Sequence, residues 1–376
     1  MSFQIKIKFG IILLLSAAFS INIYAQAKAT QPVLIDYNIG DSVQPVPLNN
    51  KFIDPDYYIW CGSVMKNKDG KYYMLYSRWP KKDGYYSWCI TCEIAVAVSE
   101  KPEGPYKHLK VALPARGLKY WDGSATHNPS LTFYKGKYYL YYIGTCSATA
   151  INFPANSMHS PEWYSYRNTQ RIGVAVANSL DGDWKRFDKP VLDVDKSKDN
   201  NFDYHVVTNP SVAANDNGKL LMVYKQVAKG SDYRGGKVRF GGAFATSPLG
   251  PFIKEPKSIF ETGSETNAHM IAEDPYLWYK NGYYYAIVRD VIGEFTGNSG
   301  GWALLLSPDG KNWKAAAHPK VISNPFLWEG GEKSISQLER PCLLMEKGKP
   351  IYLFGATRGD KSQTFSYNVA VPLFKK

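Results

Sequence analysis

The sequence predicts an all-β chain folded as a five-bladed β-propeller, one domain behind a cleaved leader. Three observations carry that reading. A two-stranded unit with a Gly turn recurs five times. The units are spaced almost evenly along the chain. No long stretch carries the apolar period of a helix, and internal repetition on this scale marks a repeat architecture.

Each unit opens on a short motif running into a strand: WCGSVM from Trp60, HNPSLTF from His127, TNPSVAA from Thr208, EDPYLWY from Glu273 and ERPCLLM from Glu339. The successive spacings are 67, 81, 65 and 66 residues. A tight turn and a second strand follow: DGKYYMLYSRW, KGKYYLYYIGT, NGKLLMVYKQ, NGYYYAIVRD and KGKPIYLFGATR. Asp-Gly, Lys-Gly and Asn-Gly at these points suit two-residue hairpins. Five matched hairpins argue against a jelly roll or a pair of sandwiches. A third strand closes on a turn with an aromatic: EIAVAVSEKPEGPY, RIGVAVANSLDGDW, GGAFATSPLGPF and GWALLLSPDGKNW. The fifth unit ends in YNVAVPL and lacks that turn. Its ring is therefore expected to be sealed by a strand from the other terminus, within residues 31–50.

The first residues read as a secretory leader. Lys6 and Lys8 precede an apolar stretch from Phe9 to Ile21, and a small residue, Ala25, ends the segment. Cleavage is expected after Ala25, giving a leader over 1–25, an N-terminal segment over 26–50 and the propeller over 51–376. The stretch is short for a membrane anchor. The mature protein is therefore expected to be periplasmic or secreted, with no membrane insertion. Losing the two leader lysines lowers the net charge from +12 to +10. A basic exported protein can meet anionic polymers. No Lys/Arg run or nucleic-acid motif is present, so nucleic acid is not an expected partner. Of five cysteines, Cys89 and Cys92 form a lone CxxC without a second pair at zinc spacing, read as structural or as a local disulfide.

The first and last residues of a hairpin lie at the same end. The opening motifs thus share one mouth of the funnel with the ends of the second strands. That mouth gathers Trp60, His127 with Asn128, Asn209, Glu273 with Asp274, and Glu339 with Arg340. The returning strands add Arg78, Trp79, Lys225, Arg289 and Arg358, and the loops ahead of the motifs add Asp54, Asp56, Asp122, and Asp203 with His205. The opposite mouth holds only turn residues. The stretches WDGSATHNPSL (121–131) and FDYHVVTNPSV (202–212) are one position repeated in blades two and three. Any one of these acids could be half of a structural ion pair. The gathering of like charges in a concave funnel is costly unless a ligand or a reaction uses it. Facing carboxylates with Arg and aromatic neighbours suit glycoside hydrolysis, one as proton donor and one as base or nucleophile.

With Asp54-Pro55-Asp56, Asn128-Pro129, Asn209-Pro210, Glu273-Asp274-Pro275, Glu339-Arg340-Pro341 and the Gly-Pro-aromatic turns at Gly104 and Gly250, residues 50–376 resemble the five-bladed propeller glycosidases. These are glycoside hydrolase family 43 and the related families 117 and 32. The resemblance implies a base or nucleophile on blade one, here Asp56 or Asp54. It implies an orienting acid, here Asp203 or Asp122, and a proton donor, here Glu273. Asp274 and Glu339 are alternatives. Family 117 points to a His donor, for which His127, His205 or His269 is placed. The chain departs from the pattern in carrying Asn128 and Asn209 where acids could sit, and in opening blade one on Trp60-Cys61-Gly62. It also lacks the Asn-Asp-Pro-Asn-Gly run of family 32.

The expected activity is therefore an exo-acting, inverting glycosidase on plant or algal oligo- or polysaccharides. Trp60, Arg78, Trp79, Asn128, Asn209, Lys225, Arg289, Arg340 and Arg358 are the expected substrate-binding residues. The cations among them suggest an anionic sugar. The inserts 146–170 and 290–301 are expected to wall the mouth. No metal motif is present and no cofactor is required, although the resemblance admits a structural calcium in the central channel. Two other classes remain: a carbohydrate-binding propeller without turnover, and a lyase directed at uronates.

Overall fold

The hairpins predicted from the turns fold as expected. At three of the five turns both central residues have positive φ: Lys135 and Gly136, Asn281 and Gly282, and Lys347 and Gly348. That geometry matches the right-handed twist of the flanking strands. The computed structural model describes Met1 and residues 34–155, 157–261, 268–359 and 361–374. The predicted cut after Ala25, and the leader apart from Met1, lie outside the described residues.

Five four-stranded antiparallel sheets follow one another along the chain. Blade one comprises β2 (Tyr57–Lys66), β3 (Tyr72–Pro80), β4 (Glu93–Ser99) and β5 (Lys107–Leu113). Blade two comprises β6 (Ala125–Tyr134), β7 (Lys137–Thr145), β8 (Arg171–Ala177) and β9 (Lys185–Arg186). Blade three comprises β10 (Val206–Ala214), β11 (Leu220–Val227), β12 (Val238–Ala245) and β13 (Ile253–Lys254). Blade four comprises β14 (Ala272–Lys280), β15 (Tyr283–Asp290), β16 (Trp302–Ser307) and β17 (Lys314–Ile322). Blade five takes β18 (Glu339–Glu346), β19 (Lys349–Arg358) and β20 (Ser366–Pro372), and its outer strand is β1 (Lys51–Phe52).

The ring is thus sealed by the N-terminal side, but one step later in sequence than expected. Lys51 pairs with Val369 and Phe52 with Asn368. Asn50 extends the seam: its side chain donates to the Ala370 carbonyl at 3.0 Å, and the Ala370 N–H donates back to Asn50 O. Within 34–50 the chain makes a single bridge, Val46 to Trp328, and packs Tyr37 and Ile39 into the core between blades four and five, with Tyr37 against Trp278 and Tyr285 of blade four.

Each blade buries both faces against its neighbours, which explains the near-continuous apolar strands. One cluster joins blades one and two around Leu75 and Leu140, another joins two and three around Met222 and Tyr141, and another joins three and four around Leu221 and Ala286. Trp302 and Leu353 hold four to five, and Tyr76 and Phe354 close five to one. A fully buried Leu or Phe side chain contributes about 1.5–3 kcal/mol. Among the described residues, the one α-helix is α1 (Pro161–Arg167), inside the blade-two insert. No helix among them is long and apolar enough to cross a membrane.

Candidate active site

A shared backbone device builds the mouth. The second residue of every opening motif has positive φ: Cys61 (55°), Asn128 (52°), Asn209 (51°), Asp274 (56°) and Arg340 (59°). The register with the second strand slips at each of these points. Asn and Asp tolerate this conformation best, so three of the five positions carry them. The bulge turns the second side chain into the central channel and leaves the first at the mouth. Trp60, His127, Glu273 and Glu339 therefore line one pocket, while Asn209 and Asp274 line the channel beneath it.

The channel is filled by a chain of side-chain contacts. Cys61 Sγ lies 3.0 Å from the Asn128 amide, and the Asn128 and Asn209 amides are 2.9 Å apart. Asn209 Nδ2 donates to Asp274 Oδ1 at 2.9 Å, and Arg340 Nη1 reaches the same oxygen at 2.7 Å. With its amide oxygen facing Arg340 Nη2 at 2.9 Å, Asn128 also donates to His127 Nδ1 at 3.3 Å. This donor set does not fit the calcium that the resemblance admitted. One carboxylate faces the channel, and a guanidinium already neutralises it; calcium takes six to eight oxygens, waters included, and favours ionised carboxylates among them. Among the described residues, no three His, Cys, Asp or Glu side chains converge. Calcium or a chelator is therefore expected to leave the melting temperature unchanged. An ion bound at a hundred times its Kd would instead add about 2.7 kcal/mol, visible by calorimetry.

The pocket has a volume of about 330 Å3. Its aromatic wall is Trp60 and Trp79 with Tyr85, Tyr86 and Trp88, which stand on a single 3-10 turn (Tyr85–Cys89) between β3 and β4. Trp79 Nε1 donates to Tyr85 O at 3.0 Å, and the Trp60 and Tyr85 rings meet edge to face. The blade-two insert backs this turn as expected: Trp163 Nε1 donates to Tyr86 O at 2.8 Å, and Met158 lines the pocket. The 290–301 insert instead folds on itself. Asp290 Oδ2 accepts from the N–H groups of Phe295 and Thr296. Cys89 and Cys92 are buried and not bonded to each other; all five cysteines are free.

Two carboxylates line the pocket. Glu273 stands opposite Arg289 in the ladder and receives it at Oε2, while Lys225 Nζ, from blade three, reaches Oε1 at 2.5 Å. Burial works to raise the Glu273 pKa, but Lys225, Arg289 and Arg340 outweigh it and hold the carboxyl well below the usual range. A carboxyl held ionised in this way suits a base more than the proton donor that the resemblance implied for Glu273. Glu339 is more open: Gln337 Nε2 donates to its Oε1 at 2.8 Å, and Arg289 Nη1 is 4.0 Å away. Asp274, one residue on, is pushed up to about 6 by burial, with Arg340 opposing the rise and Glu273 and Glu339 adding to it. His127 is buried between Trp88 and Gln170. Burial lowers it to about 3, so it is neutral at ordinary pH and has no acidic proton to give.

Several other expected site residues are structural. Asp122 is fully buried and accepts from Arg116 Nε at 2.8 Å, Tyr142 Oη at 2.8 Å and Arg186 Nη1 at 3.3 Å. Its counterpart Asp203 is buried under Lys254 of β13. The repeated Asp thus ties each loop to the outer strand of its own blade. Asp54 caps the turn into β2, accepting from Asp56 N at 2.9 Å and Tyr57 N at 3.0 Å, and Asp56 is exposed. Neither lines the pocket. Arg78 is paired with Glu93 at 2.8 Å, Arg289 lies behind Glu273, and His205 and His269 stand outside the pocket lining. Arg358 does line it, and among the described residues no carboxylate pairs with it. Asp122→Asn is expected to cost roughly 3–5 kcal/mol in urea unfolding, the price of breaking a buried ion pair from one side, with KM unchanged. The aromatics Tyr85, Tyr86 and Trp88 escaped the sequence reading. The dense tract GYYSWC, which begins five residues after Trp79, was their signal.

No family profile and no curated protein matches the sequence. Solved structures do match its fold. Zg3597, a family 117 glycoside hydrolase produced by the marine bacterium Zobellia galactanivorans, is similar at 19% identity and TM-score 0.57, over 88% of this chain and 90% of that one. A structure described as a glycoside hydrolase is similar at 17% identity and TM-score 0.61, over 89% and 93%. CoXyl43, a family 43 β-xylosidase/α-arabinofuranosidase from a compost microbial metagenome solved with xylotriose, is similar at 17% identity and TM-score 0.53, over 90% and 95%. At these identities the likeness is one of fold, the five-bladed propeller of solved family 117 and family 43 structures.

Proposed function

We propose that this chain is an exported glycoside hydrolase that releases terminal sugars from oligo- or polysaccharides. One observation carries the reading: a pocket at the propeller mouth, walled by aromatic side chains, sets two carboxyl groups of unlike environment, Glu273 and Glu339, beside one guanidinium. Aromatic faces take up sugar rings, and unlike carboxyls divide the acid and base work. In this reading Glu339 gives its proton to the glycosidic oxygen as the C–O bond breaks. Water attacks the anomeric carbon and passes a proton to Glu273, which inverts the configuration. Arg289, paired with Glu273 and 4.0 Å from Glu339, lies between the two and fixes their spacing. The insert behind Met158 and the 3-10 turn wall one side, which favours a chain end over a long groove.

The test is mass analysis of products from a panel of neutral, uronate-bearing and sulfated plant and algal oligosaccharides. Loss of one terminal sugar with gain of one water supports the reading. A product lighter by a water would point to a lyase. A second reading is a carbohydrate-binding propeller without turnover. It is favoured by the double pairing of Glu273 and by Cys61, Asn128 and Asn209 in the bulge positions of the first three blades. Saturable sugar binding with no product from any member of the panel would select it.

A further inference from the structure

The cations that the sequence offered to an anionic substrate are largely engaged: Arg78 by Glu93, Lys225 and Arg289 by Glu273, and Arg340 by Asp274. Arg358 is the exception. It lines the mouth pocket and is half-buried, yet among the described residues no carboxylate pairs with it.

The backbone fixes its place. Arg358 is the last residue of β19 and pairs with Ser366 of β20. Ser366 Oγ ties this end to blade one, accepting from Ile59 N at 3.0 Å and donating to Ile59 O at 2.9 Å. On the other side Thr357 Oγ1 donates to Gln337 O at 2.9 Å, which holds the end of β19 to the segment leading into Glu339. In the ladder Glu339 lies opposite Ala356. Residues directly opposite share a face of the sheet, as do residues two apart on one strand, and such a diagonal pair stands about 7–8 Å apart. Glu339 and Arg358 therefore share one face of blade five, with Arg358 one step nearer the rim. Beyond it the chain turns back: Gly359 N donates to Phe365 O at 3.0 Å, and Gln363 Nε2 donates to Tyr86 Oη at 3.0 Å. That turn meets the aromatic wall, so Arg358 stands where blade five closes on the pocket.

Glu273 and Asp274 hold cations of their own, so neither offsets this charge. A guanidinium partly withdrawn from water without a counterion is unfavourable, and its fork matches two oxygens of a carboxylate or sulfate. We infer that Arg358 anchors the carboxylate or sulfate of an acidic sugar bound in the mouth pocket, on the rim side of Glu339. The inference rests on the reading of the pocket as a sugar site. It narrows the anionic specificity, which the sequence spread over Arg78, Lys225, Arg289, Arg340 and Arg358, to the last of them.

The test is a fluorescence titration of the mature protein, with Trp60, Trp79 and Trp88 of the pocket as reporters. The acidic probes are oligogalacturonate, glucuronoxylo-oligosaccharide and sulfated galacto-oligosaccharide, each beside a neutral galacto- or xylo-oligosaccharide of matched length. At least one acidic probe is expected to bind about tenfold tighter than its neutral counterpart, the gain that charge-assisted hydrogen bonds give. Whichever does so tells carboxylate from sulfate. Arg358→Gln is expected to erase that preference with the melting temperature level, and Arg358→Lys to keep part of it. Lys135→Asn removes the same charge at a hairpin turn of the opposite mouth and should keep all of it. Equal binding of acidic and neutral probes overturns the inference but leaves the glycosidase reading standing. So does a preference that survives Arg358→Gln, or one that falls as far in Lys135→Asn, since either marks the net charge of the protein. An Arg358→Gln variant that weakens both probes alike and melts earlier marks a packing role and also overturns it. Failure of every probe to bind overturns both.

Discussion

Glu339→Gln is expected to lower kcat about a thousandfold on natural oligosaccharides, within the span that general acid catalysis supplies. The fold should hardly notice, because Glu339 is part-exposed and, among the described residues, its carboxylate accepts from Gln337 alone, with Arg289 at 4.0 Å. Glu273→Gln should be comparably slow but also less stable, because it leaves Lys225 and Arg289 without their shared carboxylate. The two variants separate on the leaving group. An aryl glycoside with a strongly acidic phenol departs without protonation, so the Glu339→Gln deficit should shrink greatly on it. The Glu273→Gln deficit should persist. A Glu339→Gln enzyme equally slow on both substrates would remove the proton-donor role assigned to it.

Arg340→Met is expected to be the most destabilising single change at the centre of the propeller. Asp274 is buried in the channel with Arg340 Nη1 at 2.7 Å. Removing one side of a buried ion pair costs about 3–5 kcal/mol. The loss should carry a pH signature. Burial pushes Asp274 up to about 6 in the folded protein, above the usual carboxylate value; Arg340 opposes the rise, and Glu273 and Glu339 add to it. A folded carboxyl raised in this way costs stability while ionised, and the cost is relieved as pH falls through the folded pKa toward the unfolded one. Without Arg340 the folded pKa rises further. The deficit of Arg340→Met should therefore be large near about pH 8 and smaller near about pH 5, by urea unfolding. A deficit constant with pH would assign Arg340 a packing role alone.

The architecture was legible because repetition is written at several levels at once. Gly turns, apolar second strands and polar opening motifs recur together, and each blade needs the same parts to bury two faces. The closing strand was placed a few residues early because Lys51–Phe52 is only two residues long and carries no alternation. At the site, the sequence could name the mouth but not the direction of each side chain. The positive φ at Asn128, Asn209, Asp274 and Arg340 turns them into the channel, and no strand period foresees a bulge. Asp122 and Asp203 looked catalytic because they recur beside the mouth. Asp122 has a nearby partner in Arg116, but Arg186 and Lys254 lie on outer strands more than fifty residues later, so the tie to the outer strand exists only in the fold.

The central claim is that Glu273 and Glu339 hydrolyse a glycosidic bond in the mouth pocket. The most direct measurement is isotope uptake: react the mature protein with the substrate panel in water enriched in heavy oxygen and weigh the released sugar. The account requires one heavy oxygen at the new reducing end for each bond cut by the native protein, and almost none from Glu339→Gln. Release of sugar without heavy oxygen, or at the native rate in Glu339→Gln, would contradict it.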